Sequence, residues 1–382
     1  MIKVIGFYSH IPFSKENNIL YTPSFIGKYL HKLSQNSNLV VFGHLNNHNN
    51  MIYDYNLSSS NIKFINIGFK SHSLIRFFLG FIFLIKHYKE FSFLDHMIVR
   101  SPTPLSFWFR LFVKINKLNF LIVADEKEGA KNKQILSYRD FFIKYFNFIS
   151  DKLLWYSLIS RTVFVNSKAL LIKYKKFHPS LVSTSNLETS DFSNDLSFKI
   201  NSPLKILYVG RIDLTKGILE TIDAIFTLKK MDILCSYNIV GWDENEDKNI
   251  QVLKNKVNEL NLDKVVTFCG KKSQGDILNS FYNNSDIFIC ASYHESMPRT
   301  IYESMANSTA VIATKVGSIP LELEHNVNAI LINPKVSIDI VESVQILINN
   351  FELRKKIIKN AYNLSKSKTI NHSINGLIKY LN

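Results

Sequence analysis

Twelve short, unbroken apolar runs, separated by helix-like stretches, constrain the fold of this chain more than any other feature. Six lie in the first half: IKVIGF (2–7), NLVVFG (38–43), IKFINI (62–67), HMIVRS (96–101), FLIVAD (120–125) and TVFVNS (162–167). Six lie in the second: KILYVG (205–210), SYNIVG (236–241), KVVTFCG (264–270), DIFICAS (286–292), AVIAT (310–314) and AILI (329–332). A strand with one wet face alternates apolar and polar residues. A continuous apolar run fits a strand buried on both faces. Alternation with helical patterns predicts parallel sheets built from βαβ units. The expected fold class is α/β, with two Rossmann-like, doubly wound domains facing a central cleft.

The chain has 382 residues, beyond the size at which a single core usually keeps growing. The polar, Ser- and Asn-rich stretch SNLETSDFSNDLSFKINSP (185–203) has no sustained period and reads as a linker. The predicted organisation is a first domain over 1–190, a hinge over 191–203, a second domain over 204–366, and a terminal helix over 367–382 that packs back on the first domain. Open α/β sheets bind ligands outside the carboxyl ends of their strands. The functional residues are therefore sought in strand-end loops.

The formal net charge of +15 is unevenly spread. Residues 1–200 hold 25 Lys/Arg against 12 Asp/Glu, while the remainder is nearly neutral. A basic first half suits an anionic partner: nucleic acid, lipid headgroups or a phosphate-bearing substrate. Cys235, Cys269 and Cys290 lack paired spacing and read as free thiols. MIKVIGFYSHIPF reads as a first strand, not a signal peptide, and FFLGFIFLI (77–85) is too short to span a bilayer. These features predict a cytoplasmic protein. The aromatic and cationic segments 74–89 and 139–161 read as helices that cover the first sheet, lie on an anionic membrane surface, or do both.

Two motifs carry chemistry. In YVGRIDLTKG (208–217), Gly210 permits a tight turn at a strand end, and Arg211 and Lys216 then flank the start of a helix. A forked guanidinium and an ammonium beside a helix N-terminus suit a diphosphate. In ASYHESMPRTIYESMA (291–306), Glu295 and Glu303 stand eight residues apart. On one continuous helix they would lie about 12 Å apart. That exceeds the roughly 5–9.5 Å of glycosidase acid pairs. A helix starting near Pro298 instead leaves Glu295 in a loop, so the two acids reach different parts of one elongated ligand. The backbone amides of Met297, Arg299 and Thr300 point toward the same place. The plainer reading of both motifs is a solvated loop and a solvated helix face.

Taken together, YVGRIDLTKG, KVVTFCG, SDIFICASYHESMPRTIYESMA and VIATKVGSIPLELEHNVNAILI resemble the donor domain of glycosyltransferase family 4, of the bacterial surface-polysaccharide type, which has the GT-B fold. The resemblance implies that Arg211 and Lys216 bind the donor diphosphate. It gives Glu303 the donor ribose and Glu295 the transferred sugar. A weaker likeness over VRSPTPLSFWFRLFVKINKLNFLIVADEKEG implies that Asp125 faces the donor sugar and that Arg100 sits at a neighbouring strand end. His10 and His294 are further candidate contacts. The implied reaction is retaining transfer of a sugar from a UDP- or GDP-sugar, a substrate rather than a cofactor, to a lipid-linked or growing saccharide acceptor.

Three segments depart from the family pattern: FYSHIPFSKENN lacks the Gly-rich turn, Asp243 replaces a Gly, and Ser308 and Ala310 replace Gly and Pro. No metal is expected, because there is no Asp-x-Asp at a strand end and DENED (243–247) reads as a turn. The rival readings are a GT-B-fold nucleotide-sugar epimerase and a basic nucleic-acid binder. The second lacks a recognisable nucleic-acid motif, so no nucleic-acid partner is expected.

Overall fold

The structure is a computed structural model and describes residues 3–46, 53–58, 61–69, 73–125, 138–194, 196–244 and 247–381. It divides into two compact units, Met1–Asn186 with Ile370–Asn382, and Leu187–Thr369.

The first unit runs β1 (Val4–Tyr8), β2 (Ser14–Glu16), β3 (Ile19–Thr22), α1 (Ser24–Ser34), β4 (Asn38–Leu45), β5 (Tyr55–Asn56), β6 (Ile62–Phe69), α2 (Ser73–Lys86), β7 (His96–Ser101), α3 (Ser106–Phe112), β8 (Leu118–Ile122), α4 (Tyr138–Leu158), β9 (Thr162–Val165), α5 (Lys168–Lys173) and β10 (Ser180–Leu181). Its main sheet is parallel, ordered β10-β9-β8-β7-β1-β4-β6. The six expected runs each form a strand. The seventh strand, β10, is only two residues long and shows no apolar run.

Two features differ from the sequence reading. The segment without the Gly-rich turn contains a small antiparallel hairpin, β2–β3, extended by β5. Asn17 and Asn18 form its turn at φ 47° and 64°. Asn tolerates the left-handed region that such a two-residue turn needs. In addition, β8 stops at Ile122, so Asp125 lies in the following loop. The Asn166 amide donates to the Val123 carbonyl at 3.2 Å, taking the place of a strand partner.

The second unit runs β11 (Leu204–Val209), α6 (Ile218–Lys230), β12 (Cys235–Val240), α7 (Lys248–Glu259), β13 (Val266–Gly270), α8 (Asp276–Asn283), β14 (Ile287–Cys290), α9 (Arg299–Ala306), β15 (Ala310–Thr314), α10 (Ile319–Glu322), β16 (Ile330–Ile332), α11 (Ser337–Asn349) and α12 (Phe351–Lys366). Its sheet is also parallel, ordered β13-β12-β11-β14-β15-β16. A final helix, α13 (Ile370–Leu381), returns to the first unit. There it buries Ile370, Ile374, Leu377 and Leu381 in a core shared with β1, β4 and α1.

The unbroken apolar runs follow from burial on both faces. Along β11, Leu204, Ile206 and Tyr208 enter one core, and Leu207 and Val209 enter the other. Along β8, Leu118, Phe120 and Ile122 face one layer, while Leu121, and Val123 just beyond the strand, face the opposite one. Each fully buried large apolar side chain contributes about 1.5–3 kcal/mol. Charged residues are thereby driven to strand ends, where the candidate site is built. No described helix is long and apolar enough to cross a membrane. The three cysteines are free thiols, two of them buried.

Candidate active site

The β11–α6 loop of the second unit is folded tightly enough to present Lys216. Asp213 Oδ1 accepts from Thr215 N at 2.8 Å and from Thr215 Oγ1 at 2.6 Å, capping a short turn over Leu214–Lys216. Burial alone would raise the Asp213 carboxyl. The two Thr215 hydrogen bonds, with Arg211 and Lys216 behind them, outweigh burial and lower its pKa. Gly217 follows at φ 68°, and a Cβ there would stand 2.0 Å from the Ala291 carbonyl oxygen. Only glycine lets the two loops approach so closely. Arg211, anchored through its carbonyl by Tyr208 OH at 2.6 Å, extends outward to Glu244 at 3.0 Å. Both side chains of that pair are about half exposed, so the pair is weakly held.

The β14–α9 loop packs directly against this turn. Tyr293 N donates to Thr215 O at 2.9 Å. Glu295 Oε1 accepts from Lys216 Nζ at 2.5 Å and from Ser292 Oγ at 2.8 Å. Thr314 Oγ1 donates to Ser292 O at 2.6 Å, tying the loop to β15. Gly317 closes the far side at φ 55°, where a Cβ would lie 1.6 Å from the Glu295 carbonyl oxygen. Ser318 N donates to Ser296 O at 2.8 Å. The Cys290 thiol is pushed up to about 12 by burial and by the Glu295 charge, so it remains protonated beside the site.

Pro298 is the N-cap of α9, and Arg299 and Thr300 open its first turn. Met297 packs on the adjoining core. Glu303 lies one turn in, half-buried, and accepts from Tyr282 OH at 2.9 Å. Burial raises the Tyr282 pKa and the Glu303 charge raises it further, so the phenol stays a donor. Arg299, four residues before Glu303, has its pKa lowered by burial, and the Glu303 charge opposes that shift. Glu295 and Glu303 are therefore set in a loop and a helix with different partners, as the spacing required. His294 is half-buried between Tyr293 and Glu295 on the same loop.

The first-half candidates fall into two groups within the first unit. Arg100 Nη1 lies 2.9 Å from His10 Nε2, joining the ends of β7 and β1. Asp125 Oδ1 accepts from Lys173 Nζ at 2.6 Å, and Lys173 also lies 3.8 Å from buried Asp151. Of the acidic run 243–247, Asp243 accepts from Asn249 N at 2.6 Å, fastening the start of α7, and Glu244 pairs with Arg211. Asn245 and Glu246 lie outside the described residues. Among the described residues, no three His, Cys, Asp or Glu side chains are grouped to hold a metal ion.

Tyr282, Ser292 and Lys173 were not singled out from sequence as partners of the site. Asp213 left a readable trace, an Asp two residues before a Thr at a turn. Tyr282 and Lys173 left none, because their contacts depend on helix placement.

Residues 193–364 match the model of the family described as "Glycosyl transferases group 1". This stretch of the second unit is thus a group 1 glycosyltransferase domain. The chain is 29% identical over 153 residues to the amylovoran biosynthesis glycosyltransferase AmsK of Erwinia amylovora, covering 38% of this chain and 36% of that protein. The match thus spans little more than a third of that relative's length. Over nearly the whole chain, the fold is similar to that of Anabaena Alr3699/HepE in complex with UDP. The TM-score is 0.72 at 15% identity, covering 100% of this chain and 99% of the other. Sucrose-phosphate synthase from Thermosynechococcus elongatus gives a TM-score of 0.74 at 17% identity, covering 99% of each chain. The architecture of two Rossmann-like units is that of the GT-B glycosyltransferases.

Proposed function

We propose that this protein is a retaining, metal-independent glycosyltransferase. It moves a hexose-type sugar from a UDP- or GDP-sugar to a lipid-linked or growing saccharide acceptor in the assembly of a cell-surface polysaccharide. The observation that carries the reading is the convergence of Lys216 and Glu295 to 2.5 Å at adjacent strand ends, within a group 1 domain. That AmsK is an amylovoran biosynthesis glycosyltransferase supports the polysaccharide role, and the UDP complex of HepE supports the donor class.

In this reading Lys216 transfers its ammonium from Glu295 to the donor diphosphate, and Arg211 swings from the exposed Glu244 to join it. Together they neutralise the leaving nucleotide. Glu303, held by Tyr282, receives the ribose hydroxyls. Glu295, released from Lys216 but still held by Ser292, faces the sugar. Asp125, oriented by Lys173, and the Arg100–His10 pair serve the sugar and acceptor side. An oxygen of the leaving phosphate takes the proton of the acceptor hydroxyl as the new glycosidic bond forms and the sugar–phosphate bond breaks.

The test is incubation with a panel of UDP-, GDP-, ADP- and CMP-sugars and saccharide acceptors, scored for transfer and separately for donor epimerisation. The proposal expects acceptor-dependent release of UDP or GDP. Epimer formation from donor alone identifies the rival epimerase reading, and no reaction with any donor contradicts both.

A further inference from the structure

We infer that the outer face of α2, α3 and α4 is a docking surface for an anionic lipid bilayer. In the first unit α2 packs against both α3 and α4, and α3 packs against α4. Their inner sides enter the core through Leu84, Phe109, Leu154 and Leu158. Phe77, Phe81 and Trp108 fill the seam between α2 and α3, with ring centroids 4.6–4.8 Å apart.

A helix that covers a sheet normally turns a polar face outward. Here α2 exposes Leu74, Phe78 and Ile82 at 50%, 61% and 60%, four residues apart along one stripe. Leu111 of α3 and Phe148 and Tyr156 of α4 are likewise exposed, at 57%, 47% and 49%. Large apolar side chains exposed together on neighbouring helices mark an interaction site.

The charge around the patch selects the partner. Segments 74–89, 106–117 and 145–161 together hold eight Lys/Arg and a single Asp, Asp151, which is buried. Lys86, Lys114 and Lys152 are exposed. Lys152 Nζ lies 4.6 Å from the Phe148 ring centre, and Arg110 lies 4.6 Å from that of Tyr156. Cations thus stand directly beside apolar side chains. A second copy of the chain would bring this basic rim against itself. Nucleic acid would match the cations but leave the apolar stripe without a partner. The boundary of an anionic bilayer accepts both, with apolar side chains among the acyl chains and Lys or Arg at the phosphates. Each cation near such a surface raises partitioning about fivefold.

The inference goes beyond the sugar-transfer reading and does not depend on it, because vesicle binding requires neither donor nor acceptor. The full chain is to be sedimented with vesicles of phosphatidylcholine alone and of phosphatidylcholine mixed with phosphatidylglycerol. We expect binding to the mixed vesicles that weakens with added salt. Phe78→Ser/Ile82→Ser and Lys86→Gln/Lys152→Gln should each reduce it by about tenfold or more, with unfolding midpoints unchanged. Wild-type binding no greater than to neutral vesicles overturns the inference, as does unreduced binding by both variants. A wild-type dimer that the Phe78/Ile82 variant dissolves, without vesicle binding, also overturns it by making the face an interface between copies.

Discussion

Lys216 Nζ lies 2.5 Å from Glu295 Oε1, although 79 residues separate the two along the chain. Both side chains are less than one fifth exposed. Removing one partner of such a pair leaves the other charge poorly compensated. A double-mutant cycle with Lys216→Met and Glu295→Gln should therefore show a stability coupling of about 1–3 kcal/mol in urea unfolding. Strictly additive effects would mean that the contact is not held in solution. In the same series Glu295→Gln should lower turnover about 10²–10³-fold, measured at a temperature where the destabilised variant is still folded, the loss expected for a group that acts mainly in the transition state.

Gly317→Ala tests whether the loop geometry, and not only the charges, makes the site. The new Cβ would enter the space of the Glu295 carbonyl oxygen, in a backbone conformation that costs a non-glycine residue about 1–2 kcal/mol before any clash. We expect a drop in stability of at least about 2 kcal/mol, together with loss of activity, because the loop carrying Glu295 must move. Normal stability and turnover would contradict this.

The Asp213 cap should make acid stability depend on one carboxylate. Its pKa is lowered in the folded state, so its contribution is present above the unfolded value of about 4 and is lost as pH falls through the folded one. Asp213→Asn should therefore be less stable than wild type near neutrality and should lose stability less steeply below about pH 4. Denaturant midpoints measured from pH 7 to pH 3 check this, and parallel curves for the two proteins would reject it.

Ser308 occupies a position where glycine is expected, at φ 61°, buried, with its hydroxyl unpartnered. Ser308→Gly removes the backbone strain and the buried unpaired hydroxyl, against a larger entropy loss on folding. The net expectation is stabilisation of about 1 kcal/mol, a rise of roughly 3 °C in the midpoint of the second unit. A fall in that midpoint would show that the turn depends on the serine.

Both sheets were legible in the sequence because burial on both faces writes itself as unbroken apolar runs. The helix starting beyond Pro298 was legible from its cap, and with it the different settings of Glu295 and Glu303. The β2–β3 hairpin was missed even though Asn17–Asn18 is a turn signal, because its strands are short and Lys15 and Glu16 face outward. The Tyr282 bond to Glu303 and the Lys173 bond to Asp125 depend on where α8 and α5 settle against their sheets. No local pattern encodes that placement. Asp243, a departure from the family pattern, became intelligible only once its carboxylate was seen fastening α7.

The second unit is expected to hold a nucleoside diphosphate through Lys216. Calorimetric titration of UDP and GDP into the wild-type protein and the Lys216→Ala variant tests it most directly. Wild type should bind one of these nucleotides saturably, and the variant about tenfold or more weakly, with both proteins folded. Equal affinity in the two proteins, or no binding of either nucleotide by wild type, would contradict it.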